Sequence, residues 1–143
     1  MSYSLAFTQA LAATIYLADR VQQHASAFTP TTQLAQDLNI PRPSAVKILQ
    51  SLSQAGIVET REGAKGGVRL ARSAEDVTVL DIFTAIEGER PLFHKELKFN
   101  VQGRKPRQAQ RVISTILGDA EVAMKSDLQA TTIAGLLATI STR

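Results

Sequence analysis

The chain has no cysteine, no tryptophan and only two histidines in 143 residues. Without thiols there is no disulfide, no cysteine nucleophile and no cysteine-ligated zinc or iron–sulfur site. His24 and His94 are far apart in sequence and belong to no H-E-x-x-H pattern, so both read as ordinary surface or loop side chains. Aromatic residues make up 5% of the chain, too few for the stacking platforms that hold single-stranded nucleic acid. No apolar run reaches the roughly 18 residues of a membrane span. The N-terminus lacks a basic segment before an apolar one, so no signal peptide is expected and the expected location is the cytoplasm. Gly63-Ala64-Lys65-Gly66-Gly67 lacks the G-x-x-x-x-G-K-[ST] spacing of a phosphate loop. No Ser/His/Asp set or carboxylate pair converges in sequence. No enzyme, cofactor or metal is therefore expected.

What is present suits one domain with a proper core: 44% of the residues are hydrophobic. The net charge is +3 and the isoelectric point about 9.5. The distribution says more than the total. Ile40 to Arg72 holds six cations (Arg42, Lys47, Arg61, Lys65, Arg69, Arg72) against two anions (Glu59, Glu62), a local excess suited to a polyanion.

That basic stretch lies within Thr29–Leu70, which organises the chain. A short helix is expected over Thr31–Leu38, with Leu34, Ala35 and Leu38 on one face. Asn39 can take the left-handed conformation that ends it. Pro41 and Pro43 lack an N–H and suit a turn or the opening of the next helix. Ala45, Ile48, Leu49 and Leu52 recur at i, i+3, i+4, i+7, which predicts a second helix running to about Ala55 and stopped by Gly56. Its opposite face carries Lys47, Gln50, Ser51 and Gln54, with Pro43 and Ser44 at its start. Two short strands follow, Ile57–Thr60 and Val68–Leu70. Helix, turn, helix and ribbon make a winged helix-turn-helix, whose usual task is reading duplex DNA.

The flanking segments read as support. Phe7, Ala10, Leu11, Thr14, Leu17, Ala18 and Val21 form one stripe on a first helix, about Ser4 to Gln22, and residues 23–30 read as a linker. Thr78 and Asp81 are spaced as a capping box, with Val77 and Ile82 as its hydrophobic staple. Gly88 ends that helix. Glu89–Pro106 has no sustained period and reads as a long loop. Lys98 to Arg111 holds five cations and no acid. This segment is either a solvated surface or a second contact to phosphate or an acidic partner. A helix from about Arg107 to Lys125 carries an aliphatic stripe of Ala109, Val112, Ile113, Ile116, Ala120 and Ala123. Its simplest use is packing against a symmetry mate. Ile133, Leu136, Leu137 and Ile140 mark a last short helix, expected to fold back on the dimer.

These residues closely resemble one family over nearly the whole chain, the Rrf-two family of bacterial winged-helix transcription regulators. Ala10-Leu11 and Tyr16-Leu17-Ala18 resemble its first-helix motif. Ile40-Pro41, Lys47-Ile48-Leu49, Leu52 and Ala55-Gly56-Ile57-Val58 resemble its recognition helix and exit. Gly63-Ala64-Lys65-Gly66-Gly67 with Leu70-Ala71-Arg72 is similar to its wing, the most specific piece. Val79-x-Asp81-Ile82, Glu87-Gly88 and Thr132-Ile133-Ala134-x-Leu136-Leu137 are similar to its later helices. The resemblance implies a homodimer on an inverted repeat, with the recognition helix in the major groove and the wing in an adjacent minor groove. Three departures stand out. The loop that in many members carries cluster-binding cysteines is Glu89–Pro106, with none. The frequent recognition-helix glutamate falls at Val46. The wing's usual Arg-Gly is Glu62-Gly63, with Arg61 one place earlier.

The expected fold is mainly α with a small two-stranded β wing. Residues 1–88 are expected to form the DNA-binding domain, 89–106 the loop, and 107–143 the dimerisation and C-terminal helices. The candidate DNA-contacting residues are Thr31, Arg42, Pro43, Ser44, Lys47, Gln50, Arg61, Lys65 and Gly66. The candidate dimer seam is Ala109, Val112, Ile113, Ile116 and Ala120. The expected function is a homodimeric repressor on duplex DNA. The alternative is a winged helix that binds an acidic protein. No effector, small-molecule or protein, can be named from the sequence.

Overall fold

The apolar stripe of the first helix forms the floor of the core. The computed structural model describes residues 5–23 and 27–141. Helix α1 (Leu5–Gln23) buries Ala10, Ala13, Thr14, Leu17 and Ala18. The Thr14 hydroxyl would be costly there without a partner, and it donates to the Ala10 carbonyl at 2.7 Å.

Helices α2 (Thr31–Asp37) and α3 (Arg42–Gln54) follow. Asn39 takes φ 53° between them, the left-handed turn that its short polar side chain tolerates. On α3, Ala45, Ile48, Leu49 and Leu52 are buried. Strands β1 (Val58–Arg61) and β2 (Gly67–Leu70) pair antiparallel, with Val58 opposite Leu70 and Arg61 opposite Gly67. Each boundary lies within a residue of the sequence reading.

The last described residues of the segment read as a linker join the wing. Thr29 pairs with Val68 through reciprocal backbone bonds of 2.9 and 2.8 Å, which adds a bridge on the far side of β2. Gly67 makes this approach possible. It has φ 141°, and a Cβ there would overlap the Thr29 carbonyl.

Helix α4 (Val79–Glu87) begins at the expected capping box. Thr78 Oγ1 accepts from the Asp81 N–H at 3.1 Å, and Asp81 Oδ2 accepts from the Thr78 N–H at 3.0 Å. Val77 and Ile82 are fully buried in one cluster. Gly88 ends α4 with φ 74°.

Helix α5 (Arg104–Gln129) runs 26 residues, starting earlier and ending later than the sequence suggested. Pro106 falls inside its first turn. The missing N–H costs nothing there, because first-turn donors have no intrahelical acceptor.

Helix α6 (Ile133–Ser141) packs on α1 of its own chain, where it had been expected on the dimer. Ile133 and Leu137 belong to the main core. The chain just before α6 is stitched to the chain before α4: Val79 N donates to Thr131 O and Ile133 N to Val77 O, both at 2.9 Å.

Candidate nucleic-acid interface

With its apolar stripe turned inward, α3 presents Arg42, Pro43, Val46, Lys47 and Gln50 to solvent. Ser44 is half-buried at the edge of this face, and Thr31, at the start of α2, is half-buried too. Pro30 and Pro41 precede the two helices, and neither helix start has a side-chain cap. The first-turn N–H groups beside Thr31 and Arg42 are therefore free of side-chain acceptors, the usual arrangement at a phosphate.

The wing turns over Glu62–Gly66, closed by the Gly66 N–H donating to the Gly63 carbonyl at 3.0 Å. Gly63 has φ 104°. Glu62 and Lys65 are exposed at the tip. Gly66 is buried, and a Cβ there would overlap the Arg61 carbonyl. The missing Cβ lets the wing turn close over the end of β1.

Arg61 does not stand at the tip. It ends β1, and its guanidinium lies 4.4 Å from the centre of the Phe28 ring. Arg69 covers the same ring at 4.3 Å and is also bonded to Glu59. Phe28 thus gathers two arginines at the base of the wing. It lies in the stretch that reads as a linker, where no periodicity singles it out. A lone aromatic between small and polar residues was the only signal.

Ion pairing divides the cations of this region. Arg69 is paired with Glu59, and Arg72 with Asp81 at 3.9 Å. Arg42, Lys47, Arg61 and Lys65 have no acidic partner among the described residues. All four are exposed, and all lie on α3 or the wing.

The loop before α5 lies along α5, tied by its backbone. Gln110 accepts from the Leu97 N–H at 3.1 Å and donates to the Lys95 carbonyl at 2.5 Å. Glu121 accepts from the Leu92 N–H at 2.5 Å. That bond is the main reason its carboxyl titrates below the usual range. Of the basic segment, Lys98, Arg104, Lys105, Arg107 and Arg111 are all exposed. On α5 the expected seam divides. Ile113 is half-buried against its own chain, whereas Ala109 and Ala120 are exposed. Val112 and Ile116 are 56% and 61% exposed.

A helix-turn-helix backed by a β wing, with unpaired cations on both, defines a winged-helix DNA-binding protein. The Rrf2 family, described as iron-dependent transcriptional regulator, matches residues 3–139, and the chain belongs to it. Its regulators act on transcription through DNA. The chain is 32% identical over 109 residues to the protein rrf2 of Nitratidesulfovibrio vulgaris, covering 73% of this chain and 67% of that one. It is 27% identical over 88 residues to a regulator named YwgB of Bacillus subtilis, covering 62% of this chain, and spans about half of that relative's length. Among solved structures, a putative regulator from Listeria innocua superposes with a TM-score of 0.73 at 28% identity, over 100% of this chain and 90% of that one. IscR of T. potens superposes at 0.71 with 22% identity, over 99% and 89% of the two chains, a likeness of fold.

The family's description raises the question of iron. A cysteine-ligated cluster does not fit this chain, which has no thiol. No group of three or more His, Cys, Asp or Glu among the described residues is placed to hold a metal. His94 is exposed, and His24 lies outside the described residues. Also among the described residues, no helix is long and apolar enough to cross a membrane.

Proposed function

We propose that this protein is a repressor that binds an inverted-repeat operator as a homodimer. Residues 1–88 supply the DNA contacts and α5 joins the two copies. One observation carries the reading: Arg42, Lys47, Arg61 and Lys65, the cations of this region without acidic partners among the described residues, share the recognition helix and wing. Paired charges are already neutralised and release few counterions from DNA; unpaired ones release more. Val46, 38% exposed among them, offers an apolar contact that fits a thymine methyl.

The uncovered aliphatic face of α5 supports the dimer. Val112 and Ile116 lie on successive turns, flanked by Ala109 and Ala120, and small neighbours let two helices approach closely. A two-fold dimer calls for half-sites about 34–36 Å apart or a multiple of it. Seated on promoter DNA, such a dimer blocks polymerase without any further partner.

Sequencing genomic fragments retained by the purified chain, then titrating the recovered site at several salt concentrations, tests the reading. A two-fold site, one dimer per site and an affinity falling steeply with salt are expected. Salt-insensitive association would reject it and favour the alternative, a module whose basic segment meets an acidic protein.

A further inference from the structure

Where α1, α3, the end of α4 and the following loop meet, a cavity of about 840 Å³ opens. That is within the range of small-molecule sites. Its apolar lining is Leu5, Ile48, Ile86, Pro91 and Leu92. Its polar lining includes Glu87, Arg90 and His94 from the α4 side and Ser44, Lys47 and Ser51 from α3. Glu87, 7% exposed, is the only carboxylate among the described residues lining the cavity, and Arg90 holds it at 3.1 Å. Arg90 also donates to the Glu87 carbonyl at 3.0 Å. Glu87 is thereby neutralised in place. Lys47 has no acidic partner among the described residues. A cavity with an aliphatic lining and, among the described residues, one uncompensated cation selects a molecule with an apolar body and one negative charge.

Lys47 also stands on the border between two faces of α3. Ser44, Ile48 and Ser51 line the cavity beside it, while Arg42, Pro43 and Gln50 face solvent on its other side. We propose that this cavity binds a small amphipathic monoanion, its acidic group paired with Lys47, and that the bound molecule weakens DNA binding by withdrawing Lys47 from the groove. The ligand site stands on the cavity alone; the regulatory half rests on the DNA-binding function proposed above. A ligand that weakens DNA binding must itself be weakened by DNA to the same factor.

The probe is 1-anilinonaphthalene-8-sulfonate, an amphipathic monoanion that fluoresces in apolar surroundings. Its uncharged parent, N-phenyl-1-naphthylamine, is the control. The full chain, Lys47→Gln and Gln9→Trp are titrated with both, with circular dichroism confirming the fold of each variant. Gln9 lines the cavity from α1, so a tryptophan there fills it. Saturable binding to the wild type is expected. Lys47→Gln should weaken the sulfonate roughly tenfold or more while sparing the neutral probe, the loss of one charge-assisted hydrogen bond. Gln9→Trp should abolish both. The sulfonate should also lower the affinity of the wild type for a duplex, and not that of Gln9→Trp. Equal losses for both probes in Lys47→Gln, or binding unchanged in Gln9→Trp, would overturn the site. No saturable binding at all would overturn it too. A chain that binds the probe through Lys47 but never binds DNA retains the site and loses only the regulation.

Discussion

The Arg61 guanidinium lies 4.4 Å from the centre of the Phe28 ring, with Arg69 at 4.3 Å on the same ring. Each contact is worth about 0.5–1 kcal/mol at an exposed site. The stacking holds Arg61 at the base of the wing, a place that suits a phosphate contact better than a reach into the floor of a minor groove. Arg61→Ala is therefore expected to weaken operator and scrambled duplex alike, with the salt slope falling by about one. Titrations at two salt concentrations decide it. A loss confined to the operator would show that Arg61 leaves Phe28 and reads bases.

The exposed side of α5 makes a separate prediction. Ile116 is 61% exposed in the single chain, so Ile116→Asp should change the stability of one copy by no more than about 0.5 kcal/mol. In a helix seam the same carboxylate costs several kcal/mol. Sedimentation should find folded monomers with weakened operator binding. A mutant that stays dimeric would remove α5 as the seam.

Two glycines of the wing should respond differently to alanine. Gly67 combines φ 141° with a Cβ position inside the Thr29 carbonyl. Gly67→Ala is expected to cost about 3 kcal/mol or more in denaturant unfolding, because Thr29 and β2 must separate. Gly63 has φ 104° but open space around it, and Gly63→Ala should cost about 1–2 kcal/mol.

The bond between α1 and α2 predicts a pH response. The Tyr16 hydroxyl donates to Asp37 at 2.5 Å, and Gln33 donates to the same carboxylate at 2.9 Å. The Tyr16 bond, then the Gln33 bond, hold the Asp37 carboxyl below its ordinary value of 3.8. Because the folded state favours the carboxylate, this contribution is full above pH 3.8 and is lost as pH falls through the lower folded value. Tyr16 is shifted the other way, above 10.0, by burial first and then by Asp37. Its contribution is full below pH 10.0 and is lost as pH rises through the higher folded value. Tyr16→Phe should return Asp37 toward its ordinary titration. Carboxyl NMR measures this directly, and an unmoved Asp37 would mean that the bond is not formed in solution.

DNA binding should be indifferent to iron chelators, nitric oxide and mild oxidants, since Met1 and Met124 hold the only sulfur in the chain. Visible cluster absorbance in anaerobically purified protein would refute this.

The sequence by itself determined the elements whose causes are local. The stripe of Ala45, Ile48, Leu49 and Leu52 fixed which side of α3 faces inward. Asn39 and Gly88 marked helix ends through left-handed conformations that other residues rarely adopt. Thr78 and Asp81 started α4 through bonds spanning one turn. The start of α5 was less legible, since Pro106 suits a loop and a first helical turn equally well. Periodicity names a buried face but never the surface that covers it. Only the tertiary structure decided that α6 packs on α1, that Phe28 meets Arg61 and Arg69, and that Gln110 and Glu121 hold the loop. The same holds for Lys47, whose place on the recognition helix is local, while its place beside a cavity depends on α1, α4 and the loop closing around it. These pairings join residues distant along the chain. They arise from packing the whole core at once, which no window of sequence contains.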